Sequence, residues 1–196
     1  MSKHFHVTIF GSSRITRNNK IYKEVYDLAK LIGEKDLDVV TGGCPGIMEA
    51  ASLGHKEGSK NNNSHAIGLG IKLPHEQVFN KGVDLYERFD RFSSRLDNFM
   101  LLSNVVVVAE GGIGTLLELF YTWQLAQTKK VTHIPIILFG EEWKGLLTWL
   151  KESPLRKKYF TEGDLNLIHF AKNSQDAMKI IEKTYNLHKK EKIVLT

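Results

Sequence analysis

Cysteine is almost missing from this chain. Cys44 is alone in 196 residues, which rules out an internal disulfide and makes a reducing cytoplasm the expected setting. Long apolar runs are missing too, so no membrane span is expected, and Met1-Ser-Lys-His-Phe5 has no signal-peptide apolar region. The first strand–helix turn lacks G-x-G-x-x-G, and neither G-x-x-x-x-G-K-[ST] nor G-x-S-x-G occurs. A conventional dinucleotide fingerprint, an NTPase loop and a serine-hydrolase elbow are therefore unsupported. Eight histidines are scattered without ligand spacing, so no metal or cofactor is expected. The net charge of +5 and pI near 9.2 invite a nucleic-acid reading. However, the excess is spread over Arg14, Arg17, Lys20, Lys23, the Arg156-Lys157-Lys158 run and Lys189, Lys190 and Lys192, with no interleaved aromatics and no nucleic-acid motif. These read as solvated faces, whose modest positive field favours small phosphorylated substrates.

What is present is organised around Val105 to Leu119. Four valines and an alanine form a run with no polar face, which predicts a strand buried on both sides in a parallel sheet. Gly111, Gly112 and Gly114 then allow a tight turn and close approach to a ligand. Thr115 is expected as the N-cap of a helix carrying Leu116, Leu119, Phe120 and Trp123. Such a turn offers unpaired N–H groups to an anion such as phosphate. On either side, strand and helix alternate without repeat or linker: strands at Phe5–Phe10, Asp38–Thr41, Ala66–Leu73, Ile134–Phe139 and Leu165–Phe170, and helices at Lys20–Gly33, Ile47–Glu57, Phe92–Leu102, Trp143–Leu150 and Ser174–Tyr185. His75 to Arg91 reads as a long polar connection, and roughly the last ten residues as a tail. The pattern predicts α/β architecture: residues 1–196 as one doubly wound Rossmann-like domain, with ligands beyond the carboxyl ends of its strands. Gly11-Ser12-Ser13, Gly42-Gly43-Cys44-Pro45-Gly46 and Gly111-Gly112-Ile113-Gly114-Thr115 all fall at such ends.

Three ordered segments then resemble a known family: Phe10-Gly-Ser-Ser-Arg14, Thr41-Gly-Gly-Cys-Pro-Gly-Ile-Met-Glu-Ala50 and Gly111-Gly-Ile-Gly-Thr-Leu-Leu-Glu118, with Arg95 ahead of the central strand. Gly68 to Gln77 and Val83-Asp84 extend the match. The chain resembles the LOG (Lonely Guy) family of nucleoside 5′-monophosphate phosphoribohydrolases, once described as lysine decarboxylases. The family pattern is R-K followed by P-G-G-x-G-T-x-x-E. Leu96 stands in place of its lysine, Glu110 in place of its proline, and Cys44 in place of a third glycine. Losing a cation and gaining an acid beside the phosphate loop weakens the case for anion binding there.

The resemblance implies hydrolysis of an N-glycosidic bond through an oxocarbenium-like transition state. Glu118 and Arg95 would be catalytic. Gly111, Gly112, Gly114, Thr115, Ser12, Ser13, Gly42, Gly43 and Gly46 would hold the phosphate and substrate. Lying in a helix's first turn, Glu118 is expected to stay ionised and to serve as charge stabiliser or base. The partners implied are a nucleoside monophosphate and a second copy of the chain in a dimer. Plainer readings of the same residues exist. Thr115-Leu-Leu-Glu118 is also a capping box, Arg95 could be a surface cation, Ser12 and Ser13 could cap the first helix, and Cys44 suits a small buried residue. A non-catalytic nucleotide or molybdenum-cofactor carrier of the same fold is the alternative function. A lysine decarboxylase is poorly supported, since no pyridoxal-site lysine motif is recognisable.

Overall fold

A computed structural model describes residues 4–60, 63–72, 78–131 and 134–194. Seven parallel strands form one sheet: β1 (His6–Phe10), β2 (Asp38–Thr41), β3 (Ala66–Ile71), β4 (Leu85–Phe89), β5 (Val105–Ala109), β6 (Ile136–Phe139) and β7 (Ile168–Ala171). Their spatial order is β4-β3-β2-β1-β5-β6-β7. The chain builds outward from β1 to one edge, returns to pair β5 with the other side of β1, and then builds to the opposite edge. The doubly wound expectation holds, and the reversal point lies between β1 and β5, where Phe10 sits opposite Val108.

The valine run of β5 explains itself in this arrangement. Val105, Val107 and Ala109 join the core under α1 (Lys20–Glu34), α2 (Ile47–Gly58) and α7 (Ser174–Val194). Val106 and Val108 face the other way, toward α3 (Phe92–Leu102), α4 (Ile113–Gln127) and α5 (Trp143–Leu150), with Phe10, Phe99, Leu119 and Trp123. Each face of a central parallel strand is covered, so neither can be polar.

Several sequence expectations need correction. The connection from His75 to Arg91 contains an edge strand, β4, whose residues are exposed except Phe89, so no apolar run announces it. The strand expected to reach Leu73 ends at Ile71; Leu73 and Pro74 lie outside the described residues. The last helix runs on to Val194 through the segment expected as a tail. Helix α2 also carries small residues that serve both the sheet and a helix contact. Ala50 and Ala51 join the core, but a Cβ on Gly54 would meet the Tyr26 carbonyl oxygen at 2.1 Å and one on Gly58 the Lys30 oxygen at 2.0 Å. Here α1 and α2 touch backbone to backbone.

A short α6 (Glu162–Leu165) carries its own capping box, from Thr161 and Asp164. No helix among the described residues is long and apolar enough to cross a membrane. Gly54→Ala is expected to force α1 and α2 apart and cost ~1–3 kcal/mol. The check is the midpoint of chemical denaturation, and an unchanged midpoint would mean the contact is not tight.

Candidate functional site

The three glycine-rich turns meet at the reversal point. Ser12 N–H donates to the Glu110 carbonyl (3.0 Å) and Ile47 N–H to the Ser12 carbonyl (3.0 Å), which ties the β1 loop to both of the others. Gly46, at φ 72°, turns the chain into α2, and a Cβ there would meet the Ser12 oxygen at 2.4 Å. Ser12 and Ser13 do not cap α1. That helix starts at Lys20 under Asn19, whose side chain accepts from Ile21 N–H. Ser12 Oγ instead accepts from Arg14 N–H (3.1 Å), and Ser13 is exposed.

The central turn differs from its expected form by three residues. The N-cap of α4 is Gly112, with no side-chain cap, and Thr115 is the third helical residue. The first-turn N–H groups of Ile113, Gly114 and Thr115 therefore have no intrahelical acceptor. Thr115 is buried, and a Cβ on Gly111 would meet its hydroxyl oxygen at 2.2 Å, so glycine is needed there to cover it. Added Cβ atoms on Gly112 and Gly114 would meet nothing within 4 Å. The amino end of α4 thus opens to solvent on that side, as an anion seat requires.

Because α4 starts early, Glu118 lies in its second turn and caps nothing. Its Oε1 instead accepts from Arg95 Nη2 at 2.5 Å, across the gap between α3 and α4. Both side chains are nearly buried, 12% and 13% exposed. Burial outweighs the neighbouring guanidinium and pushes the Glu118 carboxyl up to about 7. The expectation that the helix dipole keeps it ionised is overturned: beyond the first turn the dipole is weak, and desolvation wins. The plain reading of Arg95 as a surface cation also fails. Its Nη2 lies 3.5 Å from where a Gly42 Cβ would be, and its buried Nε has no hydrogen-bond acceptor. Asp97 accepts from the Tyr121 hydroxyl, a second bond joining α3 to α4.

Cys44 adjoins this pair. Burial holds its thiol up, Arg95 draws it down and Glu118 raises it again, so it is no activated nucleophile. Leu96, where the family pattern has lysine, is buried. Glu110 is held beside Gly140: its carboxylate accepts backbone N–H groups of Glu142 and Glu141 and lies where a Gly140 Cβ would meet it at 2.6 Å. Burial, then the charge of Glu142, raises its pKa. Sequence reasoning missed Phe79 and Asn80. Asn80 Nδ2 donates to the Gly43 and Cys44 carbonyls (3.1 and 3.0 Å), and its backbone N–H to Gly43 (2.9 Å). Phe79 lies against Gly43, at φ 73°, where a Cβ would meet its ring at 2.2 Å. Both sit in the segment read as a long connection rich in polar and aromatic residues. Among the described residues no group of three His, Cys, Asp or Glu is placed to hold a metal.

Residues 48–181 match the model of the family described as possible lysine decarboxylase, which is the LOG-type family. The chain belongs to this family. A curated relative, the pyrimidine/purine nucleotide 5′-monophosphate nucleosidase of Escherichia coli K12, is 26% identical over 145 residues, or 68% of this chain. That match spans only 30% of the relative's length. Among solved structures, the molybdenum cofactor binding protein of Rippkaea orientalis superposes with TM-score 0.67 at 22% identity, over 93% of this chain and 98% of that one. The molybdenum cofactor carrier protein of Chlamydomonas reinhardtii gives 0.66 at 21%, over 94% and 99%. At such identities the likeness is one of fold. The matched region takes in Arg95, Glu118 and the α4 loop, while the β1 loop lies before it.

The Glu118 carboxyl is expected to titrate near pH 7 in a carbon-detected NMR titration. Arg95→Met should move the midpoint higher, because the guanidinium favours the ionised form. A midpoint near 4.5 in both proteins would refute this account of the pair.

Proposed function

We propose that this chain hydrolyses the N-glycosidic bond of a nucleoside 5′-monophosphate, releasing free base and ribose 5-phosphate. The observation that carries the reading is the buried Arg95–Glu118 pair beside the uncapped amino end of α4. The phosphate would seat on the N–H groups of Ile113, Gly114 and Thr115, with Gly42, Gly43 and Gly46 opposite. Ser12 and Ser13 would close the site from the β1 loop. As phosphate and ribose enter, Arg95 would turn part of its guanidinium to the ligand. Ionised Glu118 would then face the anomeric carbon, stabilise the growing oxocarbenium charge and orient the attacking water. In the balanced step the C1′–N bond breaks, water oxygen bonds to C1′, and one water proton ends on the base. A pKa of about 7 suits this work at neutral pH, since the group can take up and return a proton with little driving force lost. The Escherichia coli relative's nucleosidase name supports the same reading.

A homodimer is part of the proposal. Ile113, Leu117 and Phe120 on α4 are 88%, 46% and 40% exposed and recur at helical spacing beside the site. A second copy covering this stripe would also shield the bound ligand from water. Sedimentation at the monomer mass would contradict it.

Purified protein is expected to convert AMP, GMP or a related monophosphate to base and ribose 5-phosphate by chromatography. Glu118→Gln and Arg95→Ala should each lower kcat/KM at least about 100-fold while folding is retained. Because the ionised carboxylate acts, kcat/KM should rise with pH through about 7 and level off; a fall over that range would make Glu118 an acid instead. The second reading, a non-catalytic carrier of a nucleotide or molybdenum cofactor, is favoured by the buried Leu96 in place of a cation. Ligand bound with every monophosphate left intact would select it and remove the enzyme.

A further inference from the structure

The segment that follows α5 has features the proposed hydrolase does not use. From Lys151 to Leu155 the helix widens into a π turn containing Pro154. Such turns are rare and recur at functional sites. Lys158 then adopts φ 60°, the left-handed turn that commonly ends a helix and that Lys129 also takes at the end of α4. The segment closes on itself through Lys158 N–H to the Leu155 carbonyl (2.9 Å) and Tyr159 N–H to the Pro154 carbonyl (3.0 Å).

What it displays is a hollow of about 510 Å³ with Lys151, Arg156 and Lys158 on its rim and Leu155 and Phe160 as its apolar wall. None of these three cations forms an ion pair among the described residues, in contrast to Lys30, Lys35, Lys72 and Lys144, each of which does. The acids nearby offset them only in part, with one carboxylate to three cations on the hollow. Glu162 lines the hollow without pairing, Glu152 is exposed, and the Asp164 carboxylate is taken by the Thr161 N–H and hydroxyl. Three like charges around one hollow repel each other until a multivalent anion enters. A single phosphate would satisfy one or two of them. The grouping, in a concavity rather than along a stripe, suits a compact ligand with several charges.

We propose that this hollow binds a small molecule carrying two or more linked phosphate groups, at a site separate from the α4 loop. The proposal does not rest on the nucleosidase reading. Inorganic tripolyphosphate is the probe, titrated into the full-length ¹⁵N-labelled chain and followed by backbone amide shifts. Shifts at residues 151–162 are expected, stronger than with orthophosphate, and they should persist in Arg95→Ala. The double variant Lys151→Ala/Arg156→Ala, which leaves the left-handed Lys158 untouched, should weaken binding about tenfold or more. Lys189→Ala/Lys190→Ala, equal in charge removed, should not. Shifts confined to the α4 loop would overturn the proposal, as would equal weakening by both double variants, the mark of net charge alone. Binding of single-stranded oligonucleotides that tightens with length would also overturn it, in favour of a nucleic-acid surface.

Discussion

The pairing of β5 with β1 is the constraint on which the molecule depends. Hydrogen bonding from Val7↔Val105 to Phe10↔Val108 sets two strands side by side whose following loops run in opposite directions, one toward α1 and the other toward α4. A crevice must open where they part. Everything assigned to the site is either at that crevice or bolted to it, through the Ser12–Glu110 and Ile47–Ser12 backbone bonds. The burial of β5 on both faces is what makes the pairing obligatory: an all-apolar strand of five residues has no stable place at a wet edge.

The crevice also accounts for the electrostatics. Arg95 and Glu118 come from two helices on the same side of the sheet, and their contact is shielded by Phe99, whose ring lies 5.2 Å from the guanidinium carbon. In water the pair would contribute little. Here desolvation outweighs a cation in contact with the carboxyl and lifts it from its ordinary 4.5 to about 7. A group so placed responds to what enters, because any ligand that draws Arg95 away or replaces the surrounding solvent changes its proton affinity.

Much of this was legible in the residues themselves. The valine run, the three glycine turns and the alternation of elements gave the sheet, its parallel sense and the clustering of the turns, since burial on two faces and tight turns leave strong marks on composition. Arg95 and Glu118 were legible only through a family resemblance, because a charged residue on a helix looks the same whether it faces solvent or a crevice. The pKa of Glu118 was misread by placing the helix start at Thr115. A three-residue shift moved the carboxyl out of the first turn and exchanged a capping role for a partner 23 positions away. β4 left no mark because an exposed edge strand such as Leu85-Tyr-Glu-Arg-Phe89 need not be apolar. Asn80 was hidden for a related reason: it holds backbone carbonyls, and such bonds impose no pattern on their neighbours.

Glu110 and Gly140 show how two distant positions become tied. The carboxylate at 110 is parked over a backbone at φ 121°, in space that exists only because residue 140 has no side chain. A methyl group at 140 would meet that carboxylate at 2.6 Å and displace it from its N–H donors. The bare α-carbon of one residue thus keeps a negative charge stowed.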